Sequence, residues 1–551
     1  VRRLNPQLQV FFGVKQRIKI KIPKKIFTFA TTTKLKSIMK KIPIGIQAFS
    51  KLIEGDFVYL DKTDMIYNIA NTPACFFLSR PRRFGKSLTL STLHEYFDGQ
   101  KDLFKGLKIE KLETKWEKYP VLHFDFNTGT YNTVEDVQSR ISYMLSQHEK
   151  QFGKDEAANK NSERFESLVN AAASQTGKEV VVLVDEYDKP LLNNLFDEDL
   201  KKAIRAELKA FYGVLKTCDK QIKMAFVTGV TKFSKVSLFS DVNNLKDISN
   251  SMEYSSLCGA TEKEIHDELD CYVKAMADYN NITKDDCYKE LKRWYEGYHF
   301  HEKSVDIYNP FGLMKALDSK EFKEYWFESG TPTFLAELIK KHNMPFITLE
   351  NVKRTEQQLS KIDNFNDDPI PMLYQSGYLT IKGYDNFLKR YTLSMPNKEI
   401  GEAFPKFILN FNIPKTDGGE FDITNFIEDV YNGDYKGFMK RLTALFADSS
   451  YQIVGEAELY FQNVTYLIFK LLGFYSEAER TTSDGRIDAV VKTPQYIYVF
   501  EFKLDKPAKE ALDQINSKEY ALPFTADGRQ LFKIGVSFSS ETRKISEWVA
   551  E

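Results

Sequence analysis

The chain has 551 residues, of which 42% are hydrophobic and 28% charged; it is too long for one ordinary core and suits two or three domains. Lysine plus arginine equals aspartate plus glutamate at 77 each, so bulk charge does not mark a nucleic-acid binder, and such a role needs a local patch. Five scattered cysteines without a CxxC pair, seven histidines without zinc-ligand spacing and no apolar run of bilayer length argue against a disulfide scaffold, a zinc module and a membrane span, and make a reducing, cytoplasmic setting the expectation.

No acidic residue precedes Glu54, whereas Arg2, Arg3, Lys15, Arg17, Lys19, Lys21, Lys24 and Lys25 crowd the start. Residues 1–40 therefore read as a basic extension. It is an arm for nucleic acid or a membrane, a targeting peptide without a clean apolar core, or untranslated sequence before a start at Met39. Residues 41–255 follow as an α/β domain. Gln47–Ile53 and Asp64–Ala70 have helical spacing, and the apolar run Ala74–Leu78 has the look of a buried parallel strand. Arg80–Leu88, RPRRFGKSL, comes next and opens a helical stretch. Val121–Phe126 reads as a strand, Val134 to about Ala172 as a long polar helical region, Glu179–Asp185 as a strand, Leu200–Tyr212 as helix and Lys223–Thr228 as a strand. Strands alternating with helices predict a three-layer α/β core.

From Thr261 the texture changes. TEKEI carries a capping-box signal, and helical stretches are expected at Trp294–Phe300, Asn309–Ala316 and Pro332–Lys340, with a small β element near Tyr378–Leu393. Residues 256–410 are read as a mostly helical middle domain and 411–551 as a C-terminal α/β domain with linker helices. Gly418–Gly419 and Asn432–Tyr435 read as turns. Glu458–Leu472 is a strong helix that Gly473 ends, a polar hairpin region runs to Gly485, and Arg486–Val491 alternates. Tyr496–Phe502 is a central strand, Ala508–Tyr520 a helix and Leu531–Ser537 a strand.

Gly85, Lys86 and Ser87 sit where a buried strand hands over to a helix, the context in which backbone N–H groups and a helix N-terminus cradle phosphates. Arg82, Arg83, Phe84, Gly85, Lys86, Ser87 and Leu88 would surround the phosphates, with Lys86 on the outer ones and Ser87 on magnesium. A full motif wants glycine where Arg80 stands. Arg80, Arg82 and Arg83 beside a triphosphate would add charge-assisted bonds in place of the glycine nest, or form a salt-bridged surface loop. Asp185, ending an apolar strand, suits magnesium, and Glu186 suits an attacking water; the alternative is that Asp185, Glu186 and Asp188 merely mark a solvated strand end, a reading that the nearby GKS disfavours. Thr228 ends a third strand, either as a reader of the outermost phosphate or as an ordinary strand-edge threonine.

These pieces, with YLDKT at Tyr59, VVLVDEYDKP at Val181, VTGVTKFSKVSLFSDVNNLKDIS at Val227, LCGATEKEI, RWYEGYHF and DIYNPFGLM, resemble the AAA-ATPase-like family. From about Glu458 the chain resembles the PD-(D/E)XK nuclease-like domain that accompanies it. The resemblance implies a P-loop NTPase-like domain, ATP and Mg2+ as cofactors, and a restriction-endonuclease-like α/β end.

Asp488, Glu501 and Lys503 form the second constellation. Glu501 and Lys503 leave one face of a strand, and Asp488 lies on the preceding strand across a hairpin near Thr493–Pro494. Two carboxylates there suit a hard divalent ion that activates water, and a salt-bridged sheet face is the alternative. The resemblance adds Gln514 on the next helix, Glu458 as an accessory ligand and Tyr520 as a framing residue; Arg486 is a candidate phosphate contact or a structural ion pair. Together these imply an ATP-binding protein and ATPase coupled to a magnesium-dependent nuclease-like domain acting on DNA, with homo-oligomers possible and no membrane partner. The alternative is a nucleotide-switched interaction or signalling protein with a non-catalytic nuclease fold.

Overall fold

The computed structural model describes residues 39–232, 239, 242, 244–329, 335, 338, 341, 346–360, 368–412, 422–447, 457–473, 477–479 and 489–551, and residues 42–551 form one compact unit. Helices α1 (Phe49–Glu54) and α2 (Thr63–Ala70) lead into β1 (Cys75–Ser79). There follow α3 (Lys86–Phe97), β2 (Val121–Asp125), α4 (Val134–Phe152), α5 (Asn161–Thr176), β3 (Val180–Asp185), α6 (Glu198–Thr217), β4 (Ile222–Gly229) and β5 (Leu245–Asp247). The five strands pair in parallel in the order β2-β3-β4-β1-β5. Every residue of β1 and β3 is buried, because both faces are covered. Phe77, Val182 and Val184 pack with Leu145, Phe165 and Phe211 of α4, α5 and α6. Phe76, Leu78, Val181 and Leu183 pack with Phe49, Leu90 and Leu93 of α1 and α3. Coverage on both sides is why these strands read as unbroken apolar runs.

The helical region expected over Val134–Ala172 is two helices. A capping box between Thr133 and Asp136 starts α4, Gly153 at φ 88° ends it, and the chain turns helical again at Asn161. Gly takes that left-handed backbone without a Cβ penalty.

The middle of the chain contains α7 (Glu262–Glu268), α8 (Asp270–Asn280), α9 (Lys284–Tyr295), α10 (Pro310–Ser319), the short turn α11 (Tyr325–Glu328), β6 (Val352–Thr355), α12 (Ile370–Gln375), β7 (Thr380–Asp385), β8 (Arg390–Ser394) and α13 (Lys398–Asn412). Thr261 and Glu264 form the expected capping box of α7, and β6, β8 and β7 make an antiparallel sheet. The helix expected over Trp294–Phe300 is corrected. Helix α9 stops at Tyr295, Gly297 takes φ 96°, and Tyr298 bridges to Ile307 in extended pairing. A Cβ on Gly297 would come within 2.3 Å of the Pro396 carbonyl oxygen, so close approach of the β8–α13 connection fixes this break. Most of the stretch Pro332–Lys340 lies outside the described residues, as do Gly418 and Gly419.

The C-terminal part holds α14 (Thr424–Asn432), α15 (Tyr435–Ala447), α16 (Ala457–Leu472), β9 (Glu477–Glu479), β10 (Ala489–Lys492), β11 (Tyr496–Leu504), α17 (Ala508–Ser517), β12 (Gln530–Ser539) and β13 (Lys544–Ala550). Gly433 at φ 77° closes α14 in the turn expected at Asn432–Tyr435. The sheet order is β13-β12-β11-β10-β9, with β11 and β12 parallel and the other pairs antiparallel. Helix α17 is the crossover between the parallel strands, as such a connection requires. Ile497 and Val499 face its Ile515. Tyr498 and Phe500 face the opposite layer, where Phe500 meets Phe438 of α15 and Phe469 of α16. No helix among the described residues is long and apolar enough to cross a membrane. The five cysteines are free thiols, and Cys271 is the exposed one.

Candidate functional site

The loop after β1 and the acids after β3 both lie at the C-terminal edge of the parallel sheet, where open α/β sheets bind ligands. Gly85, at φ 102°, is the N-cap of α3, and a cavity of about 820 Å³ opens there. Arg82, Arg83, Phe84, Gly85, Lys86, Ser87 and Leu88 line it together with Glu186. Its opposite wall comes from the middle of the chain and includes Gly259, Phe311, Met314, Trp326, Ser329 and Tyr378. Lys86 is almost fully buried. Its Nζ donates to the carbonyls of Arg80 at 3.1 Å and Pro81 at 3.3 Å and pairs with Glu186 Oε1 at 3.2 Å. Glu186 itself has a left-handed backbone, φ 52°.

Asp185 is buried behind this surface. Its Oδ1 accepts the Thr228 hydroxyl at 2.6 Å and the Glu186 N–H at 3.1 Å. Neither Asp185 nor Thr228 lines the cavity; the structure joins them to each other. Asp188, absent from the expected site, is fully buried and accepts N–H bonds from Val230 and Thr231, at 3.1 and 2.6 Å, and the Thr231 hydroxyl at 2.5 Å. Burial, and then the charge of Glu186, push its carboxyl up to about 6.

Both expectations for Arg80 are corrected: it neither faces the phosphate loop's cavity nor forms a surface ion pair. Its side chain is buried. Nη1 donates to the carbonyls of Ser79 and Ser249 at 2.9 and 2.6 Å, Nη2 donates to that of Tyr254 at 3.3 Å, and the guanidinium lies 3.9 Å over the Phe300 ring. Arg80 thus ties the loop to the segment after β5. Arg83 is exposed at φ 63°, donates to the Ser329 carbonyl at 3.2 Å and stacks 4.3 Å over Phe311. The Arg82 carbonyl accepts the Trp326 indole N–H at 2.8 Å.

In the C-terminal sheet, Glu501 is 2% exposed. Its Oε1 accepts Lys503 Nζ at 3.0 Å and Gln514 Nε2 at 2.5 Å, Lys503 Nζ donates to Gln514 Oε1 at 2.6 Å, and Gln514 Nε2 reaches the Tyr520 hydroxyl at 3.4 Å. Glycine at 535 makes this reach possible. Gly535 pairs with Glu501 in the register of β11 and β12, and a Cβ there would lie 2.4 Å from the Ala508 carbonyl and 2.7 Å from the Leu512 nitrogen of α17. Asp488 and Arg486 lie outside the described residues, and so does the side chain of Glu458 on α16. Among the described residues no three His, Cys, Asp or Glu side chains gather as a metal site. Glu501 is a carboxylate donor of the type a hard cation takes, and its Oε1 is held by Lys503 and Gln514.

Residues 43–239 match the family model AAA-ATPase-like, described as "Predicted AAA-ATPase". Residues 456–548 match that of the PD-(D/E)XK nuclease superfamily. A curated relative from Azotobacter chroococcum mcd 1, "Uncharacterized protein in vnfD 5'region", is 36% identical over 522 residues, covering 93% of this chain and 99% of that one. The chain belongs to this AAA-ATPase-like family. In it an N-terminal AAA-ATPase-like domain is fused to a C-terminal PD-(D/E)XK nuclease-like domain.

Among solved structures, a DNA replication initiation factor shares 11% identity, with 74% of this chain and 90% of that one covered, at a TM-score of 0.21. The Drosophila ORC bound to GC-rich DNA and Cdc6 shares 7%, with 86% and 71% covered, also at 0.21. Scores this low carry no argument. Reading the sequence of the AAA-ATPase-like domain missed Trp326, Phe311 and Ser329 on the far cavity wall. They lie more than two hundred residues from the loop, and their local pattern is that of ordinary helix and turn.

Proposed function

We propose that this AAA-ATPase-like protein binds ATP in the cavity beside Lys86 and couples the nucleotide to a magnesium-dependent nuclease-like domain acting on DNA. One observation carries the reading: Lys86, the N-terminus of α3 and Glu186 meet in one cavity at the C-terminal edge of the parallel sheet. Backbone N–H groups at the helix start and a buried ammonium suit phosphate oxygens. The Lys86–Glu186 pair keeps the ammonium aimed until phosphate competes for it. Once released, Glu186 would orient the attacking water, and Arg82 and Arg83 would neutralise charge on the outer phosphates. Ser87 would hold magnesium at this site, and Asp488 and Glu501 with Glu458 would hold it at the second; the ion would supply charge neutralisation and an activated water. At the second site Lys503 and Gln514 would keep Glu501 oriented, with Lys503 close to the charge that develops on the phosphoryl group.

The test has two arms. Calorimetry should find ATP binding to the full chain and a loss of at least ~10-fold in affinity for Lys86→Ala, and equal affinity would refute the nucleotide site. Magnesium-dependent nicking of plasmid DNA should vanish in Asp488→Ala and Glu501→Gln. Equal cleavage by wild type and both variants refutes the nuclease. ATP binding with no cleavage by the wild type leaves the nucleotide-switched interaction protein as the function.

A further inference from the structure

Arg83 is exposed and pairs with no carboxylate among the described residues, yet its guanidinium is held on the wall opposite the phosphate loop. It donates to a neutral acceptor, the Ser329 carbonyl at 3.2 Å, and stacks on Phe311. One residue earlier, the Arg82 carbonyl accepts from Trp326. Turn α11 therefore grips the loop by two adjacent residues. The turn is in turn held from α13: Glu399 Oε1 accepts the N–H groups of Trp326 and Phe327 at 2.6 and 3.3 Å.

From α11 the packing is continuous toward the other site. Trp326 lies 5.5 Å from Tyr378, Tyr378 5.0 Å from Phe404 of α13, and Phe404 5.2 Å from Phe346, measured between ring centroids. The Phe346 N–H donates to Asn463 Oδ1 of α16 at 2.6 Å. Further along α16, Phe469 packs 5.0 Å from Phe500 of β11, the residue before Glu501. Spatial continuity alone is no coupling; what gives it a switch is the exchangeable bond at its first link. A terminal phosphate in the cavity offers Arg83 an ionised acceptor that the guanidinium can grip bidentately in place of a single bond to a neutral carbonyl. Arg83 cannot serve Ser329 and that phosphate with the same N–H.

We propose that Arg83 is the residue that distinguishes a nucleoside triphosphate from a diphosphate, and that its exchange between Ser329 and the terminal phosphate loosens α11 and is relayed through Glu399 and α13 to β11. The inference rests on the nucleotide-binding reading above and names its regulation. It makes ATP, rather than ADP, the ligand that changes the strand bearing Glu501.

Hydrogen exchange of the full chain, without added divalent metal, tests it with ATP or ADP each at saturation by calorimetry. ATP should change exchange in peptides covering α11, α16 and β11, and ADP should change it less than half as much. Arg83→Ala, an exposed substitution, should weaken ATP at least ~10-fold and ADP less than ~2-fold, and should make the two exchange patterns alike. Glu399→Ala should bind ATP and lose the change in β11, whereas Glu399→Gln, whose amide oxygen accepts the same two N–H groups, should keep it. ATP binding that leaves β11 unchanged in the wild type overturns the relay alone. So does a β11 response that survives in Arg83→Ala, a measurement that holds even if Glu399→Ala fails to fold. Absence of ATP binding removes the underlying reading and this one with it.

Discussion

Glu399 sets a pH dependence that a single substitution should abolish. The residue is fully buried, and its Oε2 has no hydrogen-bond partner among the described residues. Burial pushes its carboxyl from the ordinary value of 4.5 up to about 8, against the pull of the Trp326 and Phe327 N–H groups and with the help of nearby Glu324 and Glu328. The unfolded chain loses this proton near its ordinary value, whereas the folded protein keeps it. Stability from this group is therefore fully present below about pH 4.5, falls as pH rises, and levels off above about 8. At ~1.4 kcal/mol per pH unit the whole interval amounts to ~5 kcal/mol. Glu399→Gln keeps the shape and the acceptor and removes the proton. Urea unfolding followed by tryptophan emission, which Trp326 reports, should give wild-type midpoints that drop between pH 5 and 8. The variant should show a flatter profile, close to wild type at pH 5 and more stable at pH 8.5. Parallel profiles for the two proteins would refute a neutral Glu399.

Arg80→Ala should cost ~2–4 kcal/mol in thermal or urea unfolding, because it empties a buried volume and leaves the Ser249 and Tyr254 carbonyls without their donor; a loss under ~1 kcal/mol would contradict its role as a tie. Gly535→Ala should push α17 off β12 at a cost of ~1–3 kcal/mol and lower any magnesium-dependent cleavage by withdrawing Gln514 from Glu501; unchanged melting with unchanged cleavage would refute the close-approach argument. Asp188→Asn should lose ~1–3 kcal/mol at pH 7, since an amide cannot accept all the bonds of Val230 and Thr231. It should also remove the part of the wild-type profile in which stability declines from about pH 3.8 to about 6. A wild-type decline that persists in the variant assigns it elsewhere.

The strands of the parallel sheet were readable because burial on both faces leaves a pure apolar run, as in CFFLS and VVVLVD. The three-residue β5 and the edge strand β13 were not. LKD is too short to show a period, and KISEWVA buries a single position. The Glu501–Lys503–Gln514 cluster was legible in part: two-residue spacing puts Glu501 and Lys503 on one face, but the reach of Gln514 depends on Gly535, whose meaning appears only when α17 lies against it. Arg80 was misread for a physical reason. Its charge invites a phosphate, and nothing local announces the three carbonyls and the Phe300 ring that surround it.

Three buried ionisable groups behind the cavity share one design. Arg80 donates to backbone carbonyls, Asp188 and Glu399 accept backbone N–H groups, and among the described residues no opposite side-chain charge is bonded to any of them. A buried polar group that loses its bonds costs several kcal/mol, so each one pins a backbone segment: Ser249 to Tyr254, Val230 to Thr231, Trp326 to Phe327. The cradle behind the phosphate loop is therefore stiff. The bonds that face the cavity are of another kind: Arg83 to Ser329 is exposed and made to a neutral acceptor, and Lys86 to Glu186 is an ion pair that an incoming anion can replace. An exposed bond such as that of Arg83 contributes ~1 kcal/mol or less, well below the cost of breaking the pinned ones, and Glu186 gives up the buried Lys86 only in exchange for another anion. A ligand in the cavity would thus move Arg83 and Glu186 before it moved the sheet, and the change would pass to the segment those two residues touch rather than dissipate in the core.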